Sequence, residues 1–212
     1  MIKRSLPDFS LEKEYSSEYN IIVGVDEVGR GCLAGPVFAA VAYLKDEELY
    51  LSFGINDSKL LTKNKREAIY KQFIELNTVF EYSSIDADEI DKINILQASK
   101  KAMIESINKL KIKPDFILVD GNQRLNIDIN QKTIIKGDSK SLSIASASII
   151  AKFLRDEYMS NIVHAKYPQY GFDRHKGYAT KEHFKALEKY GETEFHRKTF
   201  LRKFYIKQIS LF

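Results

Sequence analysis

Three apolar, strand-like runs in this chain of 212 residues each lead directly into acidic residues. The acids are Asp26 and Glu27 after IIVGV (21–25), Asp120 after FILV (116–119), and Asp138 after TIIKG (133–137). In open α/β sheets, ligands collect where strands end and loops begin, so we expect the four carboxylates to lie close together. This repetition limits the chain to folds in which distant strands end side by side.

Grouped carboxylates repel one another unless cations neutralise them. Oxygen-only ligands favour Mg²⁺ or Mn²⁺ over zinc, and two such ions roughly 4 Å apart can clamp a phosphodiester and activate a water molecule for in-line attack. Taken singly, each acid is also an ordinary residue at the end of a strand. Asp120 before Gly121 is typical of a turn, and Asp138 before Ser139 is typical of a helix cap. The joint occurrence favours a two-metal site.

Two details of this predicted site stay open. Adjacent strand residues point to opposite faces, so Asp26 and Glu27 enter one site only if the strand bends or ends there, which the following glycines make feasible. Asp156 competes with Asp138 for the fourth place. If most of the interval between them is helical, the two lie roughly 20–27 Å apart. Only Asp138 follows a strand, so we expect Asp156 to form an ion pair or to support the site indirectly.

Hydrophobic periodicity predicts a mixed α/β sheet flanked by helices. Strands are predicted over 21–25, 36–44, 78–85, 116–119 and 133–135, and helices over 62–76, 86–93, 94–110, 141–165, 181–189 and 199–208. We find no internal repeat and no interdomain linker. Residues 1–212 are therefore expected to form a single domain, which begins with a polar stretch over about 1–19.

Composition narrows the class of protein further. Residues 151–212 hold 13 Lys and Arg against 7 Asp and Glu, so this third is the candidate polyanion-facing part of a chain whose net charge is +4. The single cysteine, Cys32, excludes an intramolecular disulfide and an all-cysteine zinc site. The first 20 residues lack an apolar signal-peptide core, and no run approaches the roughly 20 apolar residues of a membrane span. We expect a soluble cytoplasmic protein.

Six blocks of the sequence resemble, in the same order, those of ribonuclease HII, the type 2 ribonuclease H. They are DEVGRGCLAGPV from Asp26, DSKLL from Asp57, ILVDGN from Ile117, KGDSKSLSIASASIIAKFLRD from Lys136, YPQYGFDRHKGYAT from Tyr167 and HRKTF from His196. One glycine-rich segment alone would be weak support for this resemblance. Six blocks in the same order, spanning nearly the whole chain, are strong support.

The resemblance implies a ribonuclease H-like fold, a mixed β-sheet flanked by helices with a C-terminal helical extension over about 181–212. It implies a metal-dependent endonuclease that cleaves the RNA strand of RNA–DNA hybrids. The same enzyme would cut 5′ to single ribonucleotides embedded in duplex DNA, leaving 3′-hydroxyl and 5′-phosphate ends, in ribonucleotide removal and primer processing. The implied catalytic residues, which would hold two Mg²⁺ or Mn²⁺ ions, are the four already reached: Asp26, Glu27, Asp120 and Asp138.

The resemblance also implies residues that contact the substrate. Gly29-Arg30-Gly31 would be the main-chain reader of the ribose 2′-hydroxyl, since glycines permit close backbone approach. Tyr178 matches a tyrosine that stacks on the following sugar and favours deoxyribose there. Phosphate or other substrate contacts are expected at Lys59, Ser139, Lys140, Lys176 and Arg197. The alternative for the glycines is a tight turn, that for the tyrosine is a half-buried loop residue, and that for the charged residues is simple exposure to solvent.

Several residues and functions remain undecided by the sequence. His175 and His196 could move a proton or meet a phosphate, or be structural histidines held by hydrogen bonds. Cys32 stands where the family often has proline, and we expect it to be a small packing residue. The final QISLF hints at a replication-clamp peptide, with loose helix packing as the alternative, and a monomer is expected. The competing functions are a non-catalytic hybrid-binding subunit with the same fold and a metal phosphatase for small substrates.

Overall fold

The computed structural model describes residues 6–209, with side chains of the last helix described up to Arg202 and at Tyr205. Its centre is a five-stranded sheet built from β1 (Ile22–Val28), β2 (Val37–Tyr43), β3 (Val79–Ile85), β4 (Phe116–Asp120) and β5 (Asn130–Ile134), in the order β3-β2-β1-β4-β5. The first three strands pair antiparallel, whereas β4 runs parallel to β1 and β5 parallel to β4. The carboxyl ends of β1, β4 and β5 therefore share one edge.

Helices connect and cover these strands. They are α1 (Ser10–Tyr15), α2 (Glu47–Leu51), α3 (Lys63–Glu75), α4 (Ala87–Asn108), α5 (Leu142–Tyr158), α6 (His164–Lys166), α7 (Phe172–His175), α8 (Lys181–Tyr190) and α9 (Lys198–Ile209). Five begin at a side chain that accepts a hydrogen bond from the backbone three residues later, namely Asp46, Thr62, Asp86, Ser141 and Thr180. Such caps satisfy amide groups that the first helical turn leaves without partners.

The mixed sheet flanked by helices is as the sequence predicts, and the differences are local. The two helices predicted on either side of residue 94 form one element, α4, which is broken at Asn94 (φ 66°, ψ 162°). The Asn94 side chain accepts hydrogen bonds from the amides of Leu96 and Gln97 and so caps the second half. The predicted helix 141–165 consists of α5, a π-helical segment over Met159–Val163, and α6. The short helices α1, α2 and α7 were not predicted.

Helix α5 lies directly on the backbone of β1. A Cβ atom added to Gly24 of β1 would lie 2.3 Å from Ile144 N and 2.3 Å from Ser143 C, both in the first turn of α5. The alanines of α5, Ala145, Ala147 and Ala151, are fully buried beside it. Small residues thus let α5 lie close to the sheet, and α4 covers the opposite face.

The helices after α5 pack around an apolar cluster of their own. Tyr170, Phe172, Leu187 and Leu201 form it together with Leu33 from the loop after β1. The C-terminal helices are therefore attached to the segment that directly follows the first two predicted acids. None of the helices within residues 6–209 is both long enough and apolar enough to cross a lipid bilayer.

We expect Gly24→Ala to lower the free energy of unfolding by about 3 kcal/mol or more, because the added methyl group would overlap backbone atoms of α5 that cannot move aside. Urea unfolding followed by circular dichroism measures this. Gly31→Ala is the matched control, since a Cβ atom there meets no heavy atom within 4 Å. Equal losses of stability in the two variants would contradict the close contact between α5 and β1.

Candidate active site

Strands β1 and β4 place two of the predicted carboxylates side by side. Their parallel register pairs Val25 with Val119, so Asp26 and Asp120 follow at equivalent positions. Strand alternation puts both on the face of Gly24, which is covered by α5. Asp26 is buried, and Asp120 is half-buried.

Asp138 reaches the same edge from the 3₁₀ turn Gly137–Ser139, which connects β5 to α5. The Gly137 amide donates a hydrogen bond to Asp120 Oδ1 at 2.7 Å, which fixes the turn beside β4. Asp138 is buried, and its Oδ2 lies 3.4 Å from Lys59 Nζ. Three predicted acids therefore meet near one end of α5.

Glu27 occupies the opposite face of β1. The strand pairs with β2 as far as Val28 and Phe38, so it neither ends nor turns away at Asp26. By strand alternation, the Glu27 and Asp26 side chains leave the sheet on different faces. The Glu27 carboxylate is half-buried and accepts a hydrogen bond from the Arg30 guanidinium at 3.2 Å. Strand β1 ends one residue after Glu27, and Glu27 is still close enough for its charge to act on Asp26 and for that of Asp120 to act on Glu27.

Burial and mutual repulsion raise the pKa values of three of these acids. For Asp26, burial is the largest cause, followed by the charges of Glu27 and Asp120. Burial is also the largest cause of the raised pKa values of Glu27 and Asp120. The charge of Asp120 raises the pKa of Glu27 further, and the charge of Asp138 raises that of Asp120. The four carboxylates thus form one electrostatically interacting group.

The donor chemistry of this group fits hard divalent cations, because all its ligands are carboxylate oxygens with unbalanced negative charge. Their present arrangement is that of carboxylates bonded to protein donors. Asp26 Oδ1 accepts from the Glu27 amide at 2.7 Å, and Asp120 and Asp138 accept from Gly137 and Lys59. Within residues 6–209, no three acidic, imidazole or thiol side chains already surround a common point as ligands of one ion.

Asp156, the competing acid, takes part in ion pairs as expected. It lies near the end of α5, where its carboxylate is 2.7 Å from Lys152 Nζ and 3.5 Å from the Arg66 guanidinium. This buried acid is compensated by two cations, whereas Asp26 is surrounded by other carboxylates.

We therefore expect Asp26→Asn to increase the free energy of unfolding in EDTA at pH 7 by about 1 kcal/mol or more, because it removes a buried charge whose pKa is raised in the folded state. Asp156→Asn, the matched control, should lower it, because Lys152 and Arg66 lose their partner. Chemical denaturation of both variants measures the two signs. An Asp26→Asn protein less stable than the wild type would contradict the repulsion.

An open cavity of about 430 Å³ lies beside Asp120 and Asp138. Its lining combines acidic and basic side chains with one hydroxyl: Asp57, Lys59, Asp120, Lys136, Asp138, Ser139 and Lys140. The structure brings the predicted Lys59, Ser139 and Lys140 together here. The sequence reasoning did not single out Lys136, whose left-handed backbone (φ 57°) begins the 3₁₀ turn and whose carbonyl accepts a hydrogen bond from Ser139 Oγ at 2.8 Å.

The predicted reader, Gly29-Arg30-Gly31, begins the loop after β1. Gly29 has φ 92°, and a Cβ atom there would lie 2.2 Å from Arg155 Nε, so glycine is required by both conformation and space. Gly31 faces open space, because a Cβ atom there meets nothing within 4 Å. The loop backbone is thus accessible at Gly31.

Two side chains that were expected to contact the substrate are hydrogen-bonded to other groups of the protein. The Arg197 side chain is fully buried, and its guanidinium donates to the carbonyl oxygens of Gly35 and Arg30. Its place is therefore beneath the reader loop and not on the surface that meets a duplex, which corrects the expectation. The Lys176 ammonium group donates to Ser160 Oγ and to the Asp173 carbonyl.

Tyr178 lies close to the reader with its ring partly exposed, at 38% of its surface. Lys152 Nζ lies 5.5 Å from the ring centroid, and Arg155 Cζ lies 5.7 Å from it. Burial raises the pKa of the Tyr178 hydroxyl, and the neighbouring Cys32 thiol, a hydrogen-bond partner, raises it further. Cys32 is buried, as expected of a packing residue.

Comparison with known proteins identifies the family. The family model described as Ribonuclease HII matches residues 23–205. A ribonuclease HII of Caldicellulosiruptor bescii is 49% identical over 195 residues, covering 92% of this chain and 93% of the relative. One of Clostridioides difficile is 48% identical over 189 residues, covering 89% of this chain and 72% of the relative. The chain belongs to the ribonuclease HII family.

Solved structures agree with this assignment. The crystal structure of ribonuclease H2 from Pyrococcus horikoshii OT3 matches with a TM-score of 0.72 and 27% identity, over 86% of this chain and 96% of the other. That of Bst-RNase HIII in complex with Mn²⁺ shares the fold, with a TM-score of 0.64 and 19% identity over 84% and 66% of the two chains. The ribonuclease H-like fold is confirmed, and the enzyme class is that of a ribonuclease H endonuclease. Ribonucleases HII depend in general on divalent metal ions.

The chain also contains polar residues beside the candidate site that the sequence did not reveal. Ser148 of α5 is hydrogen-bonded to Asp26 and, at 2.9 Å, to Ser58. Arg155, the residue before Asp156 in α5, is fully buried under the reader loop. The one available signal was the presence of polar residues on an otherwise apolar helix.

The two histidines singled out from the sequence are buried structural groups. His196 Nδ1 accepts from the Thr193 amide at 2.9 Å, so its proton is on Nε2, which donates to His183 Nε2 at 3.0 Å. His183 therefore keeps its proton on Nδ1 and donates to the Tyr178 carbonyl at 2.9 Å. His175 accepts from the Gly177 amide in the same loop. His183 and His196, in their neutral forms, thus connect the Tyr178 carbonyl to the Thr193 amide and hold the Tyr178 segment in place.

Burial, together with neighbouring imidazoles, lowers the pKa of His183 to about 4 and that of His196 to about 3. Because the unfolded imidazoles bind protons near pH 6.5 and the folded ones do not, each histidine should cost the fold about 1.4 kcal/mol per pH unit as the pH falls from 6.5 towards 4. Urea unfolding of wild type and His183→Asn across this range measures it. The difference in unfolding free energy between the wild type and His183→Asn should shrink as the pH falls. A difference that does not change with pH would contradict the neutral state of the two hydrogen-bonded histidines.

Proposed function

We propose that this chain cleaves the RNA strand of RNA–DNA hybrids, and cuts 5′ to single ribonucleotides in duplex DNA, with its carboxylate group holding two Mg²⁺ or Mn²⁺ ions. The products would carry 3′-hydroxyl and 5′-phosphate ends. The observation that carries the proposal is the interacting group formed by Asp26, Glu27, Asp120 and Asp138 at the carboxyl edge of the sheet. Membership of the ribonuclease HII family supports the same reaction.

The four carboxylates would share the ions, and binding would relieve the repulsion that raises their pKa values. When bound, such ions activate a water molecule and stabilise the charge that develops on the phosphate. The protein's own contribution is to collect acids from three parts of the chain on one rigid edge. Lys59 Nζ, 3.4 Å from Asp138, lies where it could bond a phosphate oxygen once the acid is engaged elsewhere.

Substrate binding would extend from the carboxylates along the surface in two directions. Lys59, Ser139 and Lys140 line the adjacent cavity and would bind phosphate groups of the backbone. The reader loop at Gly29-Arg30-Gly31 would contact the ribose 2′-hydroxyl, and the partly exposed Tyr178 ring would stack on the next sugar. Reading two neighbouring sugars is what would let a single embedded ribonucleotide be recognised.

The remaining parts of the proposal concern the molecule in the cell. We infer one catalytic domain over residues 1–212, which acts as a monomer in the cytoplasm in ribonucleotide removal and primer processing. Replication-clamp binding through the C-terminus stays a prediction, because the side chains of residues 208–212 lie outside the described part of the chain. A structure from Archaeoglobus fulgidus, which shares the fold at 24% identity and a TM-score of 0.68, is described as a PCNA:RNase HII complex.

The decisive experiment uses a labelled duplex with one ribonucleotide, the same duplex made entirely of DNA, and a continuous RNA–DNA hybrid. With Mg²⁺ or Mn²⁺, we expect cleavage 5′ to the ribonucleotide and within the hybrid, and none in the all-DNA duplex. Binding of hybrid without metal-dependent cleavage would favour a non-catalytic hybrid-binding subunit instead. Hydrolysis of free nucleotides but of no duplex would favour a metal phosphatase.

Replacing one acid should separate chemistry from binding. We expect Asp120→Asn and Asp138→Asn each to reduce kcat by at least about 100-fold, with little change in duplex affinity, because they remove ion ligands and leave the phosphate contacts in place. Single-turnover cleavage and binding in EDTA measure the two quantities. Asp88→Asn, on an exposed position at the start of α4, is the matched control and should cleave like the wild type. Near-normal turnover of both site variants would contradict the assigned roles.

A further inference from the structure

Two fully buried arginines lie beneath the reader loop, which is the segment 29–36 between β1 and β2. Their burial requires an explanation. Arg155 and Arg197 are both 0% exposed, and a buried charge is costly unless hydrogen bonds or an opposite charge compensate it. Every hydrogen bond that the structure shows for these two guanidinium groups goes to a backbone carbonyl oxygen. Their compensation therefore comes from the orientation of backbone segments.

Arg155 holds the far end of the loop. From α5, it donates to Pro36 O at 3.0 Å, to Ala34 O at 3.2 Å and, outside the loop, to Lys176 O at 3.0 Å. The same guanidinium lies 5.7 Å from the centre of the Tyr178 ring. One side chain thus contacts both segments that would read neighbouring sugars.

Arg197, which directly precedes α9, bonds to both ends of the loop. Its guanidinium donates to Arg30 O at 2.9 Å and, through two nitrogens, to Gly35 O at 3.0 and 2.8 Å. Its own backbone amide donates to Leu33 O at 2.8 Å. Together the two arginines turn the carbonyl oxygens of four loop residues towards the interior: Arg30, Ala34, Gly35 and Pro36.

The amide groups at the front of the loop are left without protein acceptors. Cys32, Leu33, Ala34 and Gly35 donate their N–H groups to backbone oxygens. Among the described residues, the N–H groups of Arg30 and Gly31 have no such acceptor, and both residues are exposed. A hydroxyl oxygen approaching Gly31 would therefore meet two adjacent donors with no Cβ atom in the way.

We propose that Arg155 and Arg197 are positioning residues that set the preference for ribose, by fixing the reader loop with its carbonyl oxygens inward and the Arg30 and Gly31 amides outward, and by tying it to the Tyr178 segment. The inference rests on the proposed function and deepens it. A planar guanidinium can bond two or three fixed carbonyl oxygens at once, which a lysine ammonium in its place cannot reproduce at the same geometry. Charge alone would not be sufficient.

The test measures equilibrium binding in EDTA, so that neither cleavage nor metal affinity enters. The two probes are a duplex with one ribonucleotide and the identical all-DNA duplex. The wild type should prefer the former. Arg155→Lys and Arg197→Lys should each reduce that preference by about 3- to 10-fold, the effect of losing one or two well-placed hydrogen bonds, while affinity for the all-DNA duplex changes by less than about 2-fold.

Arg66→Lys is the matched control. Arg66 is also nearly buried and donates to two backbone carbonyl oxygens, those of Ser58 and Leu61, but it contacts neither the reader loop nor Tyr178. It should lose stability without changing the preference for ribose. Equal preference in the wild type and in both site variants, or an equal loss in Arg66→Lys, would overturn the proposal and assign the two arginines a purely structural role.

A second measurement needs no variant and applies if the lysine proteins do not fold. In amide hydrogen exchange of the wild type, the amides of Arg30 and Gly31 should exchange fast in the free protein and slow down on binding the ribonucleotide duplex more than on binding the all-DNA duplex. Equal protection by the two duplexes would overturn the inference. Cleavage by the wild type 5′ to the ribonucleotide would in that case leave the proposed function standing, since it is measured separately.

Discussion

The contact of α5 with the backbone of β1 is the constraint on which the site depends. Only the missing side chain of Gly24 lets the first turn of α5 approach β1, and the small residues of α5 keep the two in contact along the sheet. The 3₁₀ turn with Asp138 directly precedes α5, Ser148 of α5 is hydrogen-bonded to Asp26, and Arg155 follows two turns later beneath the reader loop. One helix therefore sets the relation between the carboxylates and the loop that would recognise ribose.

Like charges destabilise the folded protein at this edge of the sheet, whereas a buried acid elsewhere is paired with cations. The carboxylates at the ends of β1 and β4 are buried beside one another, which raises their pKa values and disfavours the folded state at neutral pH. Asp156 lies on the same helix as Ser148, the hydrogen-bond partner of Asp26, and its charge is compensated by Lys152 and Arg66. The contrast shows that Asp26 lacks the paired cations that compensate Asp156. A local violation of the usual pairing of buried charge is typical of functional sites.

Much of this was predictable because local patterns and tertiary structure agree. The apolar runs predict the strands, and the acids that follow them mark the edge where Asp26, Asp120 and Asp138 meet. The faces of Asp26 and Glu27 could not be settled, because the length of β1 depends on its pairing with β2 and not on its own residues. Arg197 looked like a surface cation, since no local pattern reveals that backbone carbonyl oxygens elsewhere in the chain will surround it. The hydrogen-bonded chain from His196 to Tyr178 likewise arises from residues that only the fold brings together.

The central claim is that four acids from three separate segments serve a common pair of divalent ions. It is tested most directly by diffraction from crystals soaked in Mn²⁺, recorded at a wavelength where manganese scatters anomalously. The account predicts anomalous density between the carboxylates of Asp26, Glu27, Asp120 and Asp138, with the Glu27 side chain turned from Arg30 towards it. Density confined to other surface acids, with these four carboxylates still bonded to their protein donors, would contradict it.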